Sequence, residues 1–229
     1  MTCIQYRPPA ELPRQLENGI WLQEPASFIL ANVSSQLPST SEPFEISFSF
    51  RTFTSDGILV YLTDFSTTHY LLIYFRNGRV ILNFSLTGLD NAQLSTTGVY
   101  NDGQWYVIRA YLQGSRVTLT VGVEVRDLNA PISAAFDPSG ILSIGSPIRA
   151  IAMGSEIVAQ QAAALQNTIS EPWFSASGCL RNLQLSGVTV NISGSALIQQ
   201  RVSHDGCPAE VCFIIVHICT KGRGHVVCN

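Results

Sequence analysis

Phe174-Ser-Ala-Ser-Gly-Cys-Leu-Arg-Asn-Leu-Gln-Leu-Ser-Gly187 is the stretch of this chain that decides its fold. Within it, leucines alternate with Asn182 and Gln184, which is the period of a half-buried β-strand. A Gly-Cys pair leads into the strand, and a Ser-Gly turn ends it. Cys207 follows Cys179 by 28 positions (207 − 179) and can return to it. An antiparallel β pattern combined with cysteines is typical of proteins outside the cytosol.

The same alternation and the same turn residues predict strands along most of the chain. Asn77-Gly78 can take positive φ at both positions, so it predicts a tight hairpin, and Gln113-Gly114-Ser115 predicts a second one. Strands that recur with turns between them favour an all-β sandwich over βαβ units. The predicted strands are residues 19–22, 27–30, 44–50, 58–63, 70–75, 80–86, 105–112, 117–123 and 141–145.

One segment, residues 155–167, has the period of a helix instead. Val158, Ala162 and Leu165 stand at positions i, i+4 and i+7, with good helix formers between them. Ser155 can cap the N-terminus, and a proline lies just beyond the end. We therefore expect a single helix lying over the sandwich.

Composition excludes several classes of function. Only 13% of the 229 residues are charged, the net charge is −3, and Lys221 is the only lysine. No strong positive field is therefore available to attract nucleic acid. Residues 1–15 have no apolar core of a signal peptide, and no run of eighteen apolar residues is present, so we expect no membrane insertion by this segment.

Signatures of catalysis are equally weak. The sequence has no Gly-x-Ser-x-Gly turn, no phosphate-binding loop and no carboxylate pair at a useful spacing. Of the four histidines, His69, His204, His217 and His225, the first begins a predicted strand and is interpreted as surface-exposed or as a local structural partner. We expect no catalytic residues.

A series of short blocks, taken together, resembles a known family over about residues 19–208. That family is the laminin G-like domain, the module of laminins, agrin, perlecan and neurexins. The blocks are Phe44-Glu-Ile-Ser-Phe48, Asp56-Gly-Ile-Leu-Val-Tyr61, Asn77-Gly-Arg-Val80, Asn101-Asp-Gly-Gln-Trp105, Leu142-Ser-Ile-Gly-Ser-Pro147, the opening stretch, and Gly206-Cys207.

The resemblance implies a two-sheet antiparallel jelly-roll sandwich, concanavalin A-like, with our predicted short helix in an inserted loop. It implies a Cys179–Cys207 disulfide near the C-terminus of the domain. It also implies an extracellular location and adhesion through loops at one rim of the sandwich, with a glycan or an extracellular protein as ligand.

Members of this family often bind calcium at the rim through an Asp, a second Asp or Asn, and backbone carbonyls. The resemblance places the second of these at Asp137, whereas His69 stands at the first. Histidine is a poor ligand for a hard cation that prefers oxygen, although Asp64 in the same loop could substitute. We therefore expect no cofactor, with calcium at Asp137 and Asp64 as the alternative.

The chain divides into a lead-in of residues 1–18, the domain of residues 19–208 and a tail of residues 209–229. The tail cysteines, Cys212, Cys219 and Cys228, allow the start of an EGF-like repeat, an unstructured tail, or a zinc site with His217 and His225. Their pairing, and that of Cys3, stays open. This division predicts that the segment belongs to a larger multidomain chain.

Three Asn-x-Ser sequons, at Asn32, Asn83 and Asn191, are consistent with a secreted glycoprotein. The leading hypothesis is an extracellular recognition module in cell adhesion or matrix organisation. The rivals are a structural spacer in a larger adhesion receptor and a carbohydrate-processing sandwich enzyme. The inserted segment, residues 148–173, either tunes ligand binding at the rim or merely caps a sheet edge or end.

Overall fold

The computed structural model describes residues 16–37, 43–64, 69–86, 89–129, 136, 141–148, 154–168 and 174–208. In chain order, the strands are β1 (Leu16–Glu17), β2 (Ile20–Leu22), β3 (Phe28–Asn32), β4 (Phe44–Thr52), β5 (Gly57–Thr63), β6 (Tyr70–Arg76), β7 (Arg79–Leu86), β8 (Leu89–Ser95), β9 (Tyr106–Gln113), β10 (Arg116–Val121), β11 (Glu124–Asn129), β12 (Ile141–Gly145), β13 (Gly178–Leu185), β14 (Val188–Thr189), β15 (Ala196–Gln200), β16 (Val202–Ser203) and β17 (Cys207–Pro208). The helices are α1 (Glu156–Thr168) and α2 (Ile192–Ser195), and a 3-10 turn spans Ser34–Gln36.

Two antiparallel sheets form the predicted jelly-roll sandwich. The eight-stranded sheet has the order β11-β10-β9-β4-β13-β2-β16, with β14 paired to β13 only. The seven-stranded sheet has the order β15-β3-β12-β5-β6-β7-β8. β1 pairs with β17 in a separate ladder, in which Leu16 is opposite Pro208. Leu16 and Glu17, at the end of the predicted lead-in of residues 1–18, thus pair with the last strand of the domain.

The core lies between the two sheets. On β4, Phe44, Phe48 and Phe50 point inwards and are almost completely buried, as their alternation with polar residues predicts. The rings of Phe50 on β4 and Phe75 on β6 lie 6.0 Å apart and join the two sheets. Burying one such side chain stabilises the fold by about 1.5–3 kcal/mol.

Two glycines have the structural roles that the sequence predicts. Asn77 and Gly78 both have positive φ, of 52° and 74°, in the tight turn between β6 and β7. A Cβ on Gly145 would lie 2.5 Å from the carbonyl oxygen of Ser27, so only glycine allows these backbones to approach.

The predicted helix is confirmed as α1. Its Val158, Ala162 and Leu165 are fully buried. Val158 packs with Phe28 and Leu30, and the other two pack with a second apolar cluster that includes Tyr61 and Leu72. These partners lie on β3, β5 and β6, so α1 covers the outer face of the seven-stranded sheet rather than its edge or end.

Strand register defines the two ends of the sandwich. Asn32 on β3 is opposite Ile141 on β12, and Thr63 on β5 is opposite Tyr70 on β6, so these residues share one end. We call this the groove end. The far end carries the Asn77-Gly78 turn and the hairpin between β10 and β11.

Candidate functional site

A polar groove with a volume of about 600 Å³ opens at the groove end, beside the edge strand β15. One wall is the 3-10 turn that follows β3, and the other is the segment around α2. The residues that line the groove are Asn32, Ser34, Ser35, Gln36, Asn191, Gly194, Ser195, Ala196 and Leu197. None of these residues carries a formal charge.

Gln36 ties the two walls together. Its side-chain amide donates to the Ser195 hydroxyl, and its Oε1 accepts from the Asn191 backbone N–H at 2.7 Å. The Asn191 side chain caps α2 by accepting from the Gly194 N–H at 3.1 Å. These bonds hold the two walls together, so the groove is preformed. Asn32, Ser34 and Ser35 are exposed along it.

Local sequence singled out only part of this groove. The sequons identified Asn32 and Asn191, but Gln36 and Ser195 carried no signal of their own. They meet because β15 pairs with β3, for example through Ala196 opposite Ala31.

Asp64 and His69 lie at the same end, two strands away from Asn32 in the seven-stranded sheet. His69 Nδ1 is 2.9 Å from Asp64 Oδ2, and the His69 backbone N–H donates to Asp64 Oδ1 at 3.4 Å. The Asp64 N–H in turn donates to the His69 carbonyl at 3.1 Å. Both oxygens of this buried carboxylate are therefore engaged with His69.

The two described histidines do not form a catalytic triad. His204 Nδ1 lies 3.2 Å from the Ser193 hydroxyl, but its other ring nitrogen meets the amide of Gln199 at 2.6 Å rather than a carboxylate. His69 contacts a carboxylate, that of Asp64, but no serine hydroxyl is described beside its ring. His217 and His225 lie outside the described residues.

A second polar cluster, at the far end, has the opposite character. Glu124 on β11 accepts from the backbone N–H groups of Thr97 and Gly98 at 2.7 and 3.0 Å and from the Tyr100 hydroxyl at 2.8 Å. Arg126 Nε donates to Glu124 at 2.9 Å. We call these five residues the Glu124 latch; it joins the edge strand β11 of one sheet to the segment after β8, the edge strand of the other.

The latch perturbs the pKa of its own groups. Partial burial alone would raise the pKa of Glu124, but the hydrogen bonds from Thr97, Tyr100 and Gly98 outweigh this and hold the pKa at about 2. Burial, followed by the bond to Glu124, raises the pKa of Tyr100 to about 12. The carboxylate is thus a structural acceptor and not a poised acid or base.

A third polar assembly lies where β1 and β17 pair. Trp105 donates its indole N–H to Glu17 on β1 at 2.7 Å, the partner that a half-buried indole requires. The guanidinium groups of Arg181 and Arg51 stack on its ring at 3.9 and 4.8 Å from the centroid. Cys179 and Cys207 form a disulfide beside it, with their Cα atoms 5.8 Å apart. Cys3, Cys212, Cys219 and Cys228 lie outside the described residues.

Comparison with known proteins agrees with this geometry. Residues 50–188, more than half of the chain, match the family described as the laminin G domain. The chain belongs to the laminin G domain family.

Curated laminin G relatives include laminin subunit alpha-3 of Homo sapiens, 26% identical over 198 residues that cover 85% of this chain and 5% of that protein. Cadherin-related hmr-1 of Caenorhabditis elegans is 30% identical over 180 residues, covering 71% of this chain and 6% of that protein. The chain spans less than a tenth of the length of these relatives.

Among solved structures, domains LG4-5 of the mouse laminin alpha1 chain superpose with a TM-score of 0.69 at 17% identity, covering 87% of this chain and 49% of that one. The LG1-3 region of the laminin alpha2 chain gives a TM-score of 0.61 at 18% identity, covering 82% and 34%. Both share the sandwich fold. Laminin G domains are typically non-enzymatic, extracellular binding modules of adhesion and matrix proteins.

The calcium site expected of some laminin G domains fits poorly with the described residues. Asp64 is present at the groove end, but a cation would have to compete with His69 for both of its oxygens. The other predicted ligand, Asp137, lies outside the described residues. In the described part of the chain, no group of three or more His, Cys, Asp or Glu side chains is placed to hold a metal.

The three sequons of this laminin G domain differ in accessibility. Asn32 and Asn191 are exposed and line the groove. Asn83 lies within β7 and is only 5% exposed. Its amide is enclosed between Tyr70, whose hydroxyl donates to it at 2.8 Å, and Asn91, which accepts from it at 3.0 Å. Because this side chain is enclosed, the folded domain leaves no room for a glycan there, so we expect the Asn83 sequon to stay unmodified.

Proposed function

We propose that this domain is an extracellular recognition module in cell adhesion or matrix organisation, and that it contacts its ligand through the polar groove. The observation that carries the proposal is a preformed groove at a rim of a laminin G domain, with walls held by Gln36. No helix in the described residues is long and apolar enough to cross a membrane.

The groove favours a neutral ligand rich in hydroxyl or amide groups. Its lining offers amides from Asn32 and Asn191 and hydroxyls from exposed serines such as Ser35, which together can donate and accept hydrogen bonds. A sulfated glycan would need arginine or lysine side chains, and the described lining of the groove has none. A neutral oligosaccharide suits these groups best, and a polar loop of a partner protein is the second candidate.

The structure gives less support to a spacer role. β1 and β17 are paired, so residues 16 and 208 lie side by side. A module whose entry and exit are adjacent adds little distance between its neighbours. It is instead presented to one side of them, which suits a recognition role.

An array of neutral and sulfated glycans, probed with and without calcium, tests the proposal. Ser35 is exposed in the groove, so Ser35→Arg should fill the groove without disturbing the core. Val123 is 100% exposed on the far-end hairpin, so Val123→Arg is a matched control that adds the same charge elsewhere.

We expect wild type and Val123→Arg to bind neutral glycans and Ser35→Arg to lose binding. Binding to sulfated glycans alone, or binding that survives Ser35→Arg, would contradict the groove as the site. If no glycan binds, the same three proteins should be tested on cells, where a protein ligand would show the same pattern.

A further inference from the structure

The two accessible sequons stand on opposite walls of one groove. Asn32 follows β3 and Asn191 precedes α2, and they are 159 positions apart in sequence (191 − 32). Their convergence depends on the pairing of β15 with β3 and is invisible in the sequence. A modification of either residue would therefore act on the same space.

The hydrogen bonds of both asparagines are compatible with attachment of a sugar to the side-chain nitrogen. Asn32 Oδ1 accepts from the backbone N–H and the hydroxyl of Ser34, at 3.0 and 2.8 Å. Asn191 Oδ1 accepts from the Gly194 N–H. In each case, the carbonyl oxygen makes the structural bonds. Substitution on Nδ2 keeps that oxygen and one N–H, so it leaves these bonds intact.

We propose that Asn32 and Asn191 are sites of N-linked glycosylation and that their glycans cover the polar groove, so that glycan occupancy controls access to it. In the transfer, the Nδ2–C1 bond forms as the C1–oxygen bond to a lipid-linked diphosphate breaks. One amide proton is lost, and the lipid diphosphate leaves. That the glycans cover the groove does not depend on the proposed function. That they control ligand access rests on the proposed function.

The dimensions support this covering. The groove has a volume of about 600 Å³, which lies within the range of about 300–1,000 Å³ that small-molecule sites occupy. The first sugars of a glycan attached to its wall therefore fit inside it. They would also meet the lining that best suits them, because that lining is neutral and rich in amides and hydroxyls.

The first test measures occupancy. The protein is produced in a secreting eukaryotic cell, and its glycopeptides are analysed by mass spectrometry. We expect glycan on the peptides of Asn32 and Asn191 and none on that of Asn83, which serves as an internal negative control. Folded, secreted protein with both groove asparagines unmodified would overturn the proposal.

The second test asks whether the glycans cover the groove and needs no ligand. Hydroxyl radicals oxidise exposed side chains, and Leu197 in the groove is 49% exposed. We expect its oxidation to be several-fold lower in the glycosylated protein than in Ser34→Ala/Ser193→Ala, which lacks both sequons. Val123 at the far end should be oxidised equally in both proteins. The pair Ser34→Thr/Ser193→Thr keeps the sequons and should restore the protection.

If both sequons carry glycans but Leu197 is oxidised equally in all forms of the protein, the proposal that the glycans cover the groove is wrong. Enzymatic removal of the glycans from folded wild-type protein is a second route to the same comparison if the double variant folds poorly. Where the array identifies a ligand, its binding should rise several-fold on deglycosylation, and unchanged binding would overturn the control of access. Absence of any ligand would defeat the proposed function alone, because occupancy and footprinting are measured without one.

Discussion

The polar groove and the Glu124 latch are both built from polar side chains of separate strands, yet they differ in what they leave free. In the latch, one carboxylate accepts from Thr97, Gly98, Tyr100 and Arg126, so its hydrogen-bonding capacity is used within the protein. In the groove, Gln36 ties the two walls, and Asn32, Ser34 and Ser35 are exposed along the lining. The first arrangement stabilises the sandwich, and the second is available to a ligand or a glycan.

This contrast predicts that changes outside the groove reduce stability and leave recognition intact. The largest loss should follow replacement of Ser155–Asn167 by a Gly/Ser linker. Loss of the buried Val158 and Leu165 alone should cost about 3–6 kcal/mol, since each such side chain contributes about 1.5–3 kcal/mol. Thermal unfolding measures this loss, and ligand binding per folded molecule should be unchanged.

An unchanged melting temperature with lost binding would instead support the tuning role of residues 148–173. The position of α1 over a sheet face favours the structural outcome.

Removal of the disulfide should be next in size. Cys179→Ser/Cys207→Ser opens a loop of 28 residues, for which chain entropy gives about 3–4 kcal/mol. Chemical denaturation under oxidising conditions measures the difference from wild type. Because the bridge lies beside Trp105 and away from the groove, the Leu197 footprint should not change. Altered Leu197 oxidation in the folded variant would show that the two regions are coupled.

Glu124→Gln should cost less, about 1–2 kcal/mol, because charge-assisted bonds are replaced by neutral ones at a partly exposed site. The pKa of Glu124 is lowered from 4.5 to about 2, so the carboxylate stabilises the fold fully above pH 4.5. That stabilisation should be lost as the pH falls through about 2.

The measurement is the difference in unfolding free energy between wild type and Glu124→Gln as a function of pH. The difference should narrow on acidification. A difference that stays constant from pH 6 to pH 2 would show that the latch does not depend on the charge of Glu124.

The sequence predicts a region well when neighbouring residues determine its structure, and poorly when residues distant in the chain do. The Asn77-Gly78 hairpin and α1 follow from neighbouring residues, and both were predicted. β8 and β11 were missed, because their polar residues lack an apolar alternation and they are strands only through pairing at the sheet edges. The groove and the latch join residues that are distant in sequence. The sequons at Asn32 and Asn191 can be found in the sequence, but their convergence cannot, and neither can the bond between Glu124 and Thr97.

The smallest effect expected concerns calcium. In wild type, both oxygens of Asp64 are engaged with His69. We therefore expect a dissociation constant weaker than about 10⁻⁴ M, the tight end of the range of extracellular calcium modules. Calorimetry with calcium measures it, and tighter binding would contradict the prediction. His69→Asp sharpens the test, because it releases Oδ2 of Asp64 from the imidazole and adds a second carboxylate in the same loop. This variant should bind calcium more tightly than wild type and be less stable without it, since two carboxylates then repel one another.

His69→Asn is the matched control: it also removes the imidazole but adds no charge, so its calcium affinity should stay close to that of wild type. If His69→Asn binds as tightly as His69→Asp, then loss of the imidazole, and not gain of a carboxylate, is what opens the site.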